Sequence, residues 1–235
     1  MNITILGTGM VGQTIAAKLQ ELGHQITLGT RSVNDTLQRT AANPMTGTSF
    51  ADWHATHSGI RIAPYQEAAT DADLIINATS GAGSLEALRG VGSKALAGKV
   101  LLDVANPLDF SKGMPPTLFV CNTDSLGEQI QREFPEARVV KGLNTMNAYL
   151  MMNPQLVPGD HTVLLSGNDA DAKKEIVRLL NSLGWKEKNI IDLGDISTAR
   201  GTEMLLPVWI RLWGALGSPE FNFHIARKVP VEAAV

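Results

Sequence analysis

Short unbroken apolar runs alternate along the chain with stretches whose apolar residues recur every three or four positions. The runs are Ile3-Thr4-Ile5-Leu6, Ile26-Thr27-Leu28, Leu74-Ile75-Ile76-Asn77-Ala78, Val100-Leu101-Leu102-Asp103-Val104 and Arg138-Val139-Val140-Lys141. Runs this short and this apolar fit strands buried on both faces of a parallel sheet. Between the first two, Val11, Ile15, Leu19 and Leu22 share one face of a helix that Gly23 stops. The pattern also predicts a short helix over 33–42 and a strand over Ile60–Ala63. A helix through Leu85, Leu88 and Leu96 closes at Gly98, and one capped by Thr123 runs through Leu126, Ile130 and Phe134 to Pro135. Ser111–Pro116 is a Gly/Pro loop. This alternation is that of two mononucleotide-binding halves: a doubly wound, mostly parallel α/β sheet with helices on both faces and right-handed connections.

The remainder is smaller. His161–Ser166 predicts a strand, and Asn168 or Asp169 caps a helix carrying Ala172, Ile176, Leu179, Leu180 and Leu183, closed by Gly184. Asn189–Leu193 predicts another strand, and Ser197–Gly217 one long final helix bent at Pro207. We divide the chain into a nucleotide-binding domain, 1–143, and a smaller C-terminal α/β part, 144–235, expected to carry the acceptor site and dimer contacts. The apolar segment Met204–Gly217 is too short for a membrane span and is interrupted by Pro207 and Arg211, so it reads as a buried helix or a subunit interface. Residues 43–59 lack periodicity and carry turn signals at Asn43-Pro44, Gly47 and Ser58-Gly59, the mark of an inserted surface segment. Its His54 and His57 lack a third ligand at matching spacing apart from Asp52, so no metal site is expected.

Composition narrows the function. The 235 residues are 44% hydrophobic and 18% charged, enough to bury a large core. A net charge of −3 with no basic block argues against nucleic acid or anionic membrane as partner. The lone Cys121 excludes an internal disulfide and fits a reducing compartment. With the first strand starting at residue 2 and leaving no room for a leader, a cytoplasmic location is expected.

The chemistry gathers at the strand ends. Gly7-Thr8-Gly9-Met10-Val11-Gly12 stands between the first strand and the first helix. Gly7 permits the tight turn, Gly9 lets a pyrophosphate approach the backbone, and Gly12 lets helix and sheet pack closely. The helix N-terminus supplies N–H groups and partial positive charge. In that context the six residues predict a Rossmann-type dinucleotide site; a plain glycine turn in another α/β fold is the alternative. After the second strand come Thr30, Arg31 and Ser32, where a coenzyme lacking the 2′-phosphate would be met by a carboxylate. A guanidinium with flanking hydroxyls suits the phosphate, hence NADP(H). Asp35, further on, is the alternative carboxylate. The other strand ends, Ala78-Thr79-Ser80 and Asn106-Pro107, complete the cofactor-binding candidates, though capping and turn chemistry also explain them.

With these elements placed, the chain resembles the NADP oxidoreductases dependent on coenzyme F420, the 8-hydroxy-5-deazaflavin reductases. Four stretches carry the resemblance: Ile5–Gly12, Leu28-Gly29-Thr30-Arg31, Val104-Ala105-Asn106-Pro107 and Val139-Val140-Lys141-Gly142-Leu143-Asn144-Thr145. The last is similar to a Val-Val-Lys-Ala-Phe-Asn-Thr pattern and is the most specific. The chain departs from the family in residues 43–59, in Gly142-Leu143 and in its aromatic C-terminal segment. The resemblance implies NADPH along the strand ends and direct hydride transfer to a flat acceptor, a deazaflavin or flavin, at a cleft beside the C-terminal part. Acceptor-site candidates are Asn144, Thr145, Met146, Asn147, Pro207, Trp209 and Trp213, the tryptophans otherwise serving core or dimer packing. Lys141 and Asn144 are candidate catalytic groups, Lys141 polarising a carbonyl or else standing at the surface as a strand-end lysine. No Ser/Tyr-x-x-x-Lys pair and no His/Asp acid couple is visible. Two other readings remain open: an NADP(H)-dependent dehydrogenase or imine reductase of β-hydroxyacid type, and a non-enzymatic NADP(H) redox sensor. A homodimer is expected.

Overall fold

The computed structural model describes residues 1–228. Residues 229–235, the end of the expected C-terminal part, lie outside the described residues. The chain begins β1 (Asn2–Leu6), α1 (Met10–Glu21), β2 (Gln25–Thr30), α2 (Val33–Leu37), α3 (Phe50–Thr56), β3 (Arg61–Pro64), α4 (Tyr65–Ala69) and β4 (Leu74–Asn77). It continues α5 (Gly81–Val91), α6 (Ser93–Leu96), β5 (Val100–Asp103), a hairpin of β6 (Leu108–Asp109) and β7 (Thr117–Leu118), α7 (Leu126–Glu133) and β8 (Arg138–Lys141). Six strands pair in parallel in the order β3-β2-β1-β4-β5-β8. The order reverses between β1 and β4, and it is beyond the carboxyl ends of strands at such a reversal that doubly wound sheets bind ligands.

Period-two alternation divides the strand residues between two cores. Ile3, Ile5, Ile76, Leu102 and Val140 join the cluster that includes Ile15 and Leu19 of α1, while Leu6, Ile75, Leu101 and Val139 face the opposite layer with Leu88 of α5 and Ile130 of α7. Every residue of β4 and β5 is buried, which is why those runs carry no polar face.

The C-terminal part consists of α8 (Ala148–Met152), β9 (Val163–Leu165), α9 (Ala170–Ser182), β10 (Ile190–Asp192), α10 (Ala199–Met204) and α11 (Leu206–Leu216). β9 and β10 are parallel, and β9 joins the main sheet where Lys141 and Ser166 exchange backbone hydrogen bonds of 2.8 and 3.0 Å. Val163, Ile176, Leu180 and Trp185 enter the same apolar cluster as Ile3 and Ile5, so that core continues across residue 143.

Several boundaries differ from expectation for local reasons. The helix expected through Leu85 and Leu96 divides at Gly92, whose φ of +90 breaks the ladder. Ser125, not Thr123, caps α7, accepting from the Glu128 amide at 3.1 Å while its hydroxyl donates to the Glu128 carboxylate. Asp169 caps α9. The final helix is broken at Leu205: Pro207 has no N–H to continue α10 and sits instead in the first turn of α11, where proline is tolerated. Residues 43–59 contain α3, capped by Ser49, with Phe50 buried beside Trp53; the Phe50, Trp53, His54 spacing is the helical signal that a turn-based reading passes over. The helix predicted over 33–42 ends at Leu37. Among the described residues no helix is long and apolar enough to cross a membrane.

Candidate functional site

The three glycines of the first turn meet three different surroundings. Gly7 has a φ of +112, and a Cβ there would stand 2.6 Å from the Ala78 carbonyl oxygen. A Cβ on Gly12 would collide with the Gly7 carbonyl oxygen. A Cβ on Gly9 would meet nothing within 4 Å. The first two are therefore demanded by packing, and the third faces an open groove. Gly9 is also the N-cap of α1 and no side chain caps that helix, so its first-turn amides point into the groove. These surroundings fit a diphosphate.

On one side of this turn lies a cavity of about 550 Å³ between the ends of β1, β2 and β4. Thr30, Arg31, Ser32, Thr36, Arg39 and Tyr65 form its far wall. The Thr30 and Thr36 hydroxyls share a 2.8 Å hydrogen bond, and Ser32 caps α2 through the Asp35 amide. Arg31 is exposed and stands 3.8 Å from Glu86. Arg39 donates to the Thr8 carbonyl oxygen at 2.8 Å. Asp35 also lies on this rim, in the first turn of α2. Burial raises the pKa of Tyr65.

A second cavity of about 790 Å³ continues past Ala78, Thr79 and Ser80, which line both. Its other walls include Val11, Ala105, Asn106, Leu108, Phe110 and Phe119. The Asn106 loop is clasped against α5: a Cβ on Gly81 would collide with the Asn106 carbonyl oxygen. Phe110 and Phe119 flank the β6–β7 strands and are 57% and 43% exposed, so the cavity rim presents two aromatic faces.

Beneath these cavities runs a buried polar chain. Asn77 donates to Ser84 at 3.0 Å and to Asp103 at 2.8 Å, and its Oδ1 accepts from the Thr79 hydroxyl at 2.7 Å. Asp103 accepts from the Ala105 amide at 3.1 Å and from Lys141 Nζ at 2.8 Å. Lys141 also donates to the Ala105 carbonyl at 2.6 Å and pairs with Glu203 at 2.8 Å. Glu203, on α10, accepts from the Leu126 and Gly127 amides at the start of α7. Burial alone would lower the Lys141 pKa, but Asp103 and Glu203 outweigh it and the net shift is upward. The reading of Lys141 as a strand-end surface lysine is thereby corrected. It is 1% exposed, so it is neither a surface lysine nor in contact with either cavity.

The other acceptor-site candidates also lie off the second cavity. Asn144 is buried; its Nδ2 donates to Asn106 Oδ1 at 2.9 Å and its backbone oxygen accepts from Asn106 Nδ2 at 2.8 Å, so it holds a cavity residue instead of lining the cavity. Thr145 and Met146 are buried. Asn147 caps α8 and donates to the Pro219 carbonyl. Trp209 is packed against Phe221, ring centroids 5.3 Å apart, with Trp213 at 5.7 Å, and Pro207 is exposed in α11. Among the cofactor candidates, Gly12 is packed on Gly7, Met10 faces a separate groove toward Trp53, and Pro107 shapes the hairpin by accepting from the Phe119 amide at 3.0 Å. Sequence reasoning missed Arg39, Tyr65, Phe110 and Phe119. For the phenylalanines the available signal was two aromatics flanking a Gly/Pro loop directly after a strand end.

Comparison with known proteins agrees with this geometry. The sequence pattern of the family described as NADP oxidoreductase, coenzyme F420-dependent, matches residues 2–107. A crystal structure from Arthrobacter sp. FB24, proposed to be an F420-dependent NADP reductase, is 58% identical, superposes with a TM-score of 0.91 and covers 97% of this chain and 100% of its own. The F420-dependent NADP reductase of Methanocaldococcus jannaschii is 26% identical over 148 residues, 63% of this chain and 65% of that protein, a little under two thirds of it. An imine reductase of Streptomyces aurantiacus shares the fold at 17% identity and a TM-score of 0.60, over 92% of this chain and 63% of its own. Identity of 58% over 97% of the chain, with the family pattern lying on residues 2–107, leaves one assignment: the chain belongs to the coenzyme F420-dependent NADP oxidoreductase family.

Proposed function

We propose that the protein passes a hydride between NADPH and a flat tricyclic acceptor of deazaflavin or flavin type. The observation that carries this is the second cavity, walled by aliphatic side chains and two exposed phenylalanines and placed where the coenzyme groove ends. In this reading the α1 amides hold the diphosphate, and Thr30, Arg31 and Ser32 receive the 2′-phosphate. Thr79 and Asn106, each fixed by side-chain hydrogen bonds, set where the nicotinamide end lies. Bound NADPH supplies the hydride chemistry; the protein supplies placement and exclusion of water. Phe110 and Phe119 offer faces on which an aromatic acceptor can pack.

The imine-reductase or hydroxyacid reading needs a proton donor beside the reacting carbon. The ionisable side chain on this cavity wall is Asp109, whose pKa is lowered by hydrogen bonds from Ser111, so at neutral pH it has no proton to give. The test is anaerobic oxidation of NADPH against a panel of deazaflavin, FMN, FAD, small imines and keto acids. Turnover with a deazaflavin or flavin supports the proposal, and turnover confined to imines or keto acids replaces it. Replacing Arg31 by Ala is expected to weaken NADPH binding by about 1.5–3 kcal/mol, the range for hydrogen bonds to a charged group, and to leave NADH binding nearly unchanged in the same titration. We further propose a contact between two copies of the chain on α11, a reading supported by the exposed Val208 and Leu216.

A further inference from the structure

We propose that Arg39 is a second cation of the 2′-phosphate site and that residues 43–59 are the platform that holds it there. The inference rests on the NADP(H) reading above and extends it to a residue and a segment that reading leaves without a role.

Arg39 lines the same cavity as Thr30, Arg31, Ser32 and Thr36. Its guanidinium is fixed from two directions. One nitrogen, Nη2, donates to the Thr8 carbonyl oxygen at 2.8 Å, and the group lies over the Phe50 ring, 4.7 Å from its centroid. Phe50 is itself immobilised. It is 3% exposed, joins the main apolar cluster, and packs against Trp53 with centroids 5.5 Å apart and parallel to His54 at 6.0 Å. The backbone is tied as well, the Ala51 amide donating to the Arg39 carbonyl at 3.1 Å. The 43–59 segment thus presents one aromatic face to Arg39, which itself lines the coenzyme cavity.

Charge gives the arrangement its meaning. The cavity wall carries two carboxylates, Asp35 and Glu86, and Glu86 stands against Arg31. With Arg31 as the lone cation the wall would be net negative, a poor receptor for a dianionic phosphate. Arg39 balances it. Among the described residues Arg39 forms no ion pair, and the bond to Thr8 leaves most of its N–H donors unused. A solvent-facing guanidinium held in place by Thr8 and Phe50, with free donors, is suited to bidentate phosphate binding, which an ammonium on a flexible stem cannot reproduce. The competing role is mechanical: Arg39 braces the glycine turn through Thr8 and serves every dinucleotide alike.

The two roles separate by titrating wild type, Arg39→Ala, Arg39→Lys and Phe50→Leu with NADPH, NADH, 2′,5′-ADP and 5′-AMP. The proposal expects Arg39→Ala to lose about tenfold to a hundredfold in affinity for NADPH and 2′,5′-ADP, and no more than about twofold for NADH and 5′-AMP. Arg39→Lys recovers only part of the loss, and Phe50→Leu shows a smaller loss confined to the same two ligands. Equal losses for NADPH and NADH, or none for either, overturn it. If wild type prefers NADPH and Arg39→Ala keeps that preference, this inference fails while the coenzyme reading stands; a wild type without the preference removes both.

Discussion

Replacing Lys141 with Met is expected to cost about 3–5 kcal/mol of folding stability at pH 7, the penalty for removing one partner of a buried ion pair. The methionine fills most of the lysine stem's volume, so the loss comes from charge. Asp103 and Glu203, both essentially inaccessible, are left facing each other without a cation. The pH dependence follows. In wild type the Lys141 pKa is raised, so its contribution is fully present below the unfolded value, near 10.4, and is lost only as pH rises through the folded value. Urea unfolding of both proteins at pH 5 and 7 measures the difference. A surface lysine would give a change within about 0.5 kcal/mol at either pH. Coenzyme affinity is expected to fall with stability, because Asp103 and Lys141 together hold both the amide and the carbonyl of Ala105 on the cavity wall.

The second large effect is a contrast between two glycines three residues apart. Gly12→Ala forces a methyl group into the Gly7 carbonyl, a clash between two backbone segments that no side-chain rotation relieves. A loss of about 1–3 kcal/mol in stability, together with loss of dinucleotide binding, is expected. Gly9→Ala behaves differently. Gly9 has a φ of −80, which any residue adopts, and space for a Cβ. Its stability should stay within about 0.5 kcal/mol of wild type while the methyl, standing in the groove, reduces coenzyme affinity by about tenfold or more. Thermal unfolding paired with NADPH titration reads both. A Gly9→Ala protein that binds NADPH as well as wild type would show that the diphosphate does not run over this turn.

How far the residues alone lead depends on the range of the interaction. The six parallel strands were legible because each is a local run, and Ile75 or Leu101 is apolar whichever neighbour it meets. The glycine turn was legible because strand, turn and helix are contiguous. Lys141 was not: its partners Asp103 and Glu203 come from β5 and α10, and no local pattern distinguishes a strand-end lysine in water from one in a buried triad. The bond from Asn144 to Asn106 was not legible either, since Asn106 follows the neighbouring strand β5, 38 residues earlier in the chain. Phe110 and Phe119 line the second cavity from positions just past strands of two residues each, too short for any alternation to register. The aromatic residues of α11 read from sequence either as acceptor ligands or as packing residues, and the stacking of Trp209 on Phe221 depends on the segment that follows.

The account stands on a coenzyme groove built for an extra phosphate, and equilibrium titration of the wild-type protein with NADPH and NADH in the same buffer tests it most directly. A preference for NADPH of about tenfold or more is the predicted result. Equal affinity for the two nucleotides, or tighter binding of NADH, would contradict it.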